Sequence, residues 1–439
     1  MRNEREIREN AYMGEHYEIL HHKSGLDIYV YPKDLTTYYG LFATKYGSVD
    51  NHFRKKGEEA FTDVPDGIAH FLEHKMFENE DGVDTFLRFA QTGASANAFT
   101  GFRNTAYLFS CTENFYESLE ILLDFVTKPY FTEETVQKEQ GIIGQEIRMG
   151  EDDPGRALIF GMLKCLYENN PVRYEIAGTV ESISHITSDL LYRCYHTFYN
   201  LGNMALCVCG RVEAEKVLEV ADKMLPDRKP DFEVESVYRE ESEKVFQSRM
   251  TRRMQVAKPM FCIGIKDTCI SEDPEERMKK STAIGILCEV LFGKTSEFYN
   301  TLYDEGLISP SFDFWAEHNA CFSFLSINGE CDQPETIYDR FVSYVEEKIK
   351  TGLDPVSFER CRRVALASFM KGFDSTEEIA STLLITFAME GADLFSYPDL
   401  IRMIDLPYME QLMKQLFVPS HYAMMTLLPL EEEKEEEKA

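Results

Sequence analysis

The chain has 439 residues, of which 44% are apolar and 28% charged, and 76 acidic side chains against 46 basic ones give a net charge of −30. That length supports two or three domains with ordinary cores. The acidic balance argues against a nucleic-acid partner, whose phosphates need a positive footprint, and against anionic membrane surfaces.

The N-terminus, MRNEREIRENAYMGEHYEIL, carries charges where a signal peptide needs an apolar run. No stretch reaches the roughly 18 apolar residues of a membrane span, so a cytoplasmic location is expected. The 11 cysteines are scattered and include no C-x-x-C, which fits reduced, buried thiols. Cys207 and Cys209 alternate along MALCVCG and share one face of a strand as packing residues.

Strands and helices alternate along the chain. LDIYVYP and YYGLFATKYGS (38–48) are rich in aromatic and β-branched residues and read as strands. DGIAHFLEHKMF (66–77) has apolar residues at helical spacing, with Asp66 as its expected cap. TAYLFSCT (105–112) is a strand, and NFYESLEILLDFVTK (114–128) is an amphipathic helix ended by Pro129. TEETVQKEQGIIGQEIRMGED (132–152) is a long helix opened by Thr132, ESISHITSDLLYRCYHTFY (181–199) is helical, and NMALCVCG (203–210) is a strand. The polar segment from Pro226 to Thr251 reads as a linker. The closing run EEEKEEEKA (431–439) reads as a disordered acidic tail.

The second half repeats the first. Ile183 aligns with Ile401, Ile186 with Ile404, Ala205 with Ala423 and Gly93 with Gly306. The helix at 66–77 falls over KSTAIGILCEVLF, where His70, Glu73 and His74 land on Ala283, Ile286 and Leu287, or one register on at Ile284, Leu287 and Cys288. Neither register reproduces a metal-ligand set. The expected fold class is α+β: two homologous α/β halves, each an antiparallel-rich sheet packed by helices, enclosing a cleft. The expected domains are a catalytic, metal-binding one over 1–225, a linker over 226–251 and a repeat without ligands over 252–430.

The repeat leaves the polar face of HFLEHKMF (70–77) to be explained. On a helix, positions i and i+4 point the same way, so His70 and His74 can share one ion. Zinc takes nitrogen and oxygen ligands at about 2.0–2.2 Å, and a catalytic site uses three protein ligands. Glu73 lies on the same side, placed to take a proton from the attacking water. The H-x-x-E-H order reverses H-E-x-x-H with the same logic. A third ligand is wanted, and the long helix offers Glu139 and Glu146 two turns apart on one face, beside Ile142, Ile143 and Ile147. A partly buried carboxylate on that face needs a partner. Spacing alone does not choose between the two glutamates.

HFLEH (70–74), SANAFTGFRNTAY (95–107), EQGIIGQEIRM (139–149) and the strand end at Gly210, in that order, resemble the insulinase/pitrilysin family of inverted-motif zinc peptidases. The resemblance covers nearly the whole chain and is strongest to the small bacterial two-repeat members. It implies one Zn2+ per chain held by His70, His74 and Glu146, with Glu73 as general base. Glu139 matches the family's second helix glutamate, which supports the site. Asn97 and Ala98, in GASANAFTG, match the substrate-facing strand, where an extended peptide adds main chain to main chain.

The activity so implied is zinc-dependent endopeptidase action on short or unfolded peptides. The resemblance also implies an arginine and a tyrosine in the second half that grip substrate. In TSEFYNTLYDEGLISPSFDF (295–314), Tyr303 stands in the arginine's place and the tyrosine's place falls near Ser309–Pro310. Two assemblies follow: a dimer with a related subunit that lacks the metal motif and supplies the missing pair, or a homodimer or monomer using groups such as Tyr299 or Tyr303. The alternative function is a non-catalytic, peptide-binding or processing-complex scaffold. Such members typically lose motif residues that this chain keeps.

Overall fold

The computed structural model describes residues 4–431, so the acidic run at 432–439 lies outside the described residues. The chain opens with β1 (Glu4–Asn10), β2 (Glu15–His21), β3 (Asp27–Pro32) and β4 (Tyr38–Thr44), followed by two short strands, β5 (His52–Lys55) and β6 (Thr62–Asp63). Next come α1 (Ile68–Lys75), α2 (Thr85–Thr92), β7 (Ser95–Thr100), β8 (Thr105–Cys111), α3 (Phe115–Thr127), α4 (Glu133–Glu151) and α5 (Pro154–Leu166). The first repeat closes with α6 (Val180–Ile183), α7 (Ser188–Phe198), β9 (Met204–Gly210) and α8 (Ala214–Met224). The second runs through β10 (Val234–Ser236), β11 (Arg249–Met254), β12 (Met260–Lys266), α9 (Pro274–Phe292), α10 (Glu297–Asp304), β13 (Asp313–His318) and β14 (Ser323–Glu330). It ends with α11 (Pro334–Thr351), α12 (Pro355–Gly372), α13 (Thr376–Ser381), α14 (Tyr397–Met403), α15 (Leu406–Leu416) and β15 (Tyr422–Pro429).

The two main sheets have one topology. The first is ordered β1-β2-β3-β9-β4-β8-β7 and the second β11-β15-β12-β14-β13. Without the β1–β2 hairpin the orders correspond strand for strand. Each holds one parallel pair, β3 with β9 and β11 with β15, among antiparallel neighbours. Ala205 and Ala423 sit in the corresponding strands β9 and β15. Gly93 and Gly306 end α2 and α10 with φ of 80° and 71°. The same 6→1 bond follows each glycine, Ala94 N–H to Phe89 O at 3.0 Å and Leu307 N–H to Leu302 O at 2.9 Å. The repeat read in the sequence is therefore a repeat of fold.

The compact units are discontinuous in sequence. One holds the chain up to Ile147, Tyr174–Tyr238 and Ala367–Pro398; the other holds Arg148–Arg173, Arg239–Leu366 and the chain from Asp399 onward. The physical reason is sheet cover. A sheet with apolar residues on both faces must be packed on both. Within the second unit α5 lies on β12 and β15, although it follows α4 in the first repeat. Glycines permit that approach: a Cβ at Gly161 would lie 2.8 Å from the Met425 thioether, and one at Gly264 would lie 2.5 Å from that of Met162. Within the first unit, α13 packs on β4 and β9, and Phe373 and Phe395 meet Tyr31 and Tyr17.

Three local expectations need correction. Asp66 does not cap α1. Gly67 takes the cap position at φ 93° with no side-chain cap bond, and Asp66 accepts from the Asn51 amide at 2.9 Å instead. The helical stretch at 181–199 is broken, because Thr187 takes a cap position and accepts from Leu190 N–H, so α6 and α7 are separate helices. The stretch at 226–251 contains β10, which pairs with β5, and the start of β11, which pairs with β15. Backbone pairing supports these strands despite their polar sequence. The cysteines among the described residues are free thiols, and Cys207 and Cys209 are buried in β9.

Candidate metal centre

Helix α1 is short and held by its apolar face. Ile68, Ala69, Phe71 and Leu72 are buried in the core of the first unit, and the helix packs on β7 and β8. Its start depends on a tight backbone crossing: a Cβ on Gly67 would lie 2.4 Å from Ala177 O, and one on Gly178 would lie 2.4 Å from Asp66 O. With that face fixed, His70 and His74 project together, their ring centroids 4.6 Å apart.

Helix α4 brings both glutamates to these imidazoles. Thr132 opens it as expected, accepting from Thr135 N–H at 3.2 Å. Ile143 and Ile147 anchor it in the core. Ile142 is exposed, so only part of the expected apolar flank is buried. Glu146 Oε1 lies 3.5 Å from His70 Nε2, and Glu146 Oε2 lies 3.6 Å from His74 Nε2. Ligands about 2.1 Å from a tetrahedral ion lie about 3.4 Å from one another. One atom each of His70, His74 and Glu146 falls within 4.8 Å of the others, as a group that could hold a metal. Glu139 instead meets His74 Nδ1, at 3.1 Å. That contact holds the Nδ1–H tautomer and leaves Nε2 free to ligate. The structure thus gives the two carboxylates different places, a choice that helical spacing left open.

Glu73 is buried beside this group, and Thr100 on β7 donates to its Oε2 at 2.6 Å. Burial raises the Glu73 carboxyl above its ordinary range, opposed by the Thr100 bond and by His74, and Glu146 raises it further. Burial pulls the His74 imidazole down, but Glu139, Glu73 and Glu146 outweigh it and the net shift is upward. A carboxylate-lined pocket that favours positive charge on imidazole also favours a divalent cation.

Asn97 and Ala98 lie in β7, at the edge of the first sheet. Residues 95, 97 and 99 are exposed, while 96, 98 and 100 turn partly inward. Asn97 Oδ1 accepts from Ala98 N–H at 2.9 Å. Ala98 packs against the core of this unit. In the other unit, Tyr299 is buried and Tyr303, exposed, stacks on it at 5.8 Å.

Two family patterns match: Insulinase (Peptidase family M16) over residues 60–180 and Peptidase M16 inactive domain over 185–364. The uncharacterized zinc protease YmfH of Bacillus subtilis (strain 168) is 40% identical over 424 residues, covering 94% of this chain and 97% of that protein. The chain belongs to the insulinase (M16) family. A putative M16-like peptidase from Alicyclobacillus acidocaldarius shares the fold of this M16 chain with a TM-score of 0.90 and 32% identity, over 98% of this chain and 99% of that one. The β subunit of the mitochondrial-processing peptidase of Caenorhabditis elegans is 29% identical over 168 residues, 37% of this chain and 36% of that one.

Within the M16 family pattern, the first match spans α1, β7 and α4, where His70, Glu73, His74, Glu139 and Glu146 converge. The second spans the repeat whose helix α9 has buried Ala283, Ile286 and Leu287 in place of the motif. No single helix among the described residues is long and apolar enough to cross a membrane. Sequence reasoning gave Thr100 no role. Its signal was available as strand alternation, which sets Thr100 on the same face of β7 as Ala98 and opposite Asn97.

Proposed function

We propose that this chain is a zinc-dependent endopeptidase acting on short or unfolded peptides, as the catalytic subunit of a dimer with a related chain that lacks the metal motif. The observation that carries this reading is the approach of His70 Nε2, His74 Nε2 and the Glu146 carboxylate at ligand spacing, with buried Glu73 alongside. His70, His74 and Glu146 hold one Zn2+, and Glu139 steadies His74 from behind. When bound, zinc supplies Lewis acidity that draws the pKa of water toward neutrality and polarises the scissile carbonyl.

The chain's own groups do the rest. Glu73 takes a proton from water as the water oxygen bonds to the carbonyl carbon. It returns that proton to the leaving nitrogen as the C–N bond breaks. An extended peptide adds to the β7 edge, and the Asn97 amide turns from Ala98 N–H to the peptide backbone. The second half offers Tyr303 and Ser309–Pro310 where an arginine and a tyrosine are expected, so the related subunit supplies that pair. The acidic balance supports a reading without nucleic-acid or anionic-membrane partners.

The test is metal analysis of the gently purified chain coupled to product mass spectrometry on a peptide library, run alone and with a related subunit lacking the motif. About one zinc per chain and chelator-sensitive cleavage are expected. Absence of zinc, with no hydrolysis after zinc is restored, overturns the reading.

A further inference from the structure

The expected machinery accounts for five polar side chains around the metal group and leaves one contact unexplained. Thr100 Oγ1 lies 2.6 Å from Glu73 Oε2. Thr100 belongs to β7, the strand that carries Asn97 and Ala98 at the open edge of the sheet. We infer that Thr100 is a positioning residue for the general base, selecting which oxygen of Glu73 receives the proton. This rests on the proposed peptidase reading and adds a residue to it.

The argument follows the protons. A threonine hydroxyl has one proton to donate. Thr105 Oγ1, fully buried, donates its proton to Tyr46 O at 2.9 Å. It lies 3.3 Å from Thr100 Oγ1 and has no further proton for that contact. Thr105 can then only accept from Thr100, and the closer contact, 2.6 Å to a Glu73 carboxylate that can only accept, takes the Thr100 proton. The Thr100 bond takes up one lone pair of Oε2 and lowers its basicity, which favours Oε1 as the oxygen that takes the proton from water: an O–H bond of water breaks, an O–H bond to Oε1 forms, and the Thr100 bond to Oε2 persists throughout. A β-branched side chain in a strand has little χ1 freedom, so the backbone of β7 sets the hydroxyl's place. Substrate bound along β7 and the base that attacks it are thereby referred to the same strand.

Thr100→Val keeps the shape and removes the hydroxyl, while Thr100→Ser keeps the hydroxyl and frees the rotamer. The expected result for Thr100→Val is unchanged zinc content, since Thr100 contacts no ligand of the proposed set, with kcat lowered about 10- to 100-fold at unchanged KM, as befits a misplaced catalytic group. Thr100→Ser restores most of kcat. Crystal structures of the zinc-loaded wild type and both variants give a readout independent of activity: the Glu73 carboxylate leaves its wild-type position in the valine variant and keeps it in the serine variant. An unmoved carboxylate in Thr100→Val, or an unchanged kcat, overturns the inference. A lowered melting temperature with kcat intact also overturns it, by assigning Thr100 to stability alone. If the zinc-loaded wild type cleaves nothing, the peptidase reading fails instead, and the position of the carboxylate by itself decides whether Thr100 holds Glu73.

Discussion

Substituting the two glutamates of α4 should produce different losses of zinc affinity. Glu146 spans both imidazoles, 3.5 Å from His70 Nε2 and 3.6 Å from His74 Nε2, as a ligand does. Glu139 reaches His74 on the far side of the ring, at Nδ1, and falls outside the group of His70, His74 and Glu146 that could hold a metal. Zinc sites of about 10–16 kcal/mol divided over four ligands give roughly 3 kcal/mol per ligand, so Glu146→Ala should cost about 100-fold or more in affinity. Removing an outer partner of a ligating histidine costs about 10- to 100-fold. Glu139→Gln keeps an oxygen that can accept from Nδ1–H and should fall near tenfold, about 1.4 kcal/mol; Glu139→Ala should fall near 100-fold. Competition with a fluorescent zinc chelator at fixed pH measures all three. Wild-type affinity in Glu139→Ala, or a greater loss in Glu139→Gln than in Glu146→Ala, would refute the assignment of the two carboxylates.

Three further outcomes are expected. Glu73→Gln should retain zinc while peptide hydrolysis falls by about 10²–10⁴-fold; wild-type turnover in that variant removes Glu73 from the reaction. Gly67→Ala should destabilise the fold by about 2–4 kcal/mol in urea unfolding, because it places a Cβ 2.4 Å from Ala177 O at φ 93°; an unchanged midpoint refutes the close crossing. In the second unit, burial raises the Asp267 carboxyl, but the His318 hydrogen bond and Lys280 outweigh it and hold the pKa at about 2. Its folded pKa lies below its unfolded one, so its contribution, of order 2 kcal/mol, is full above about pH 4 and is lost as pH falls through 2. The stability gap between wild type and Asp267→Asn should therefore narrow between pH 4 and pH 2, and a gap constant over that range counts against the ionised cluster.

Much of this protein was legible locally. The i, i+4 rise of a helix joins His70 to His74 wherever the helix goes, and an apolar face of Phe71 and Leu72 turns them outward. The strand at 38–44 followed from its aromatic-rich run, the strand at 204–210 was read in MALCVCG with Cys207 and Cys209 on one face, and the repeat followed from matched residues such as Ala205 and Ala423. The cap of α1 was misread because Asp66 is a good cap residue by type. The choice of Gly67 came from the chain crossing at Ala177 and Gly178, which lie far along the sequence.

What the sequence determined by itself were periodicities: which residues share a helix face, which alternate along a strand, and that one half of the chain lacks the His70, Glu73 and His74 face of the other. Helical spacing did not choose between Glu139 and Glu146, although the family resemblance implied Glu146; only the tertiary structure gave their distances to the imidazoles, and only it decided that Thr100 meets Glu73 and that α5 covers the sheet of the second unit. The reason is range. Helical and strand geometry repeat within a few residues, whereas sheet cover and side-chain convergence are settled by burial between segments that are distant along the chain.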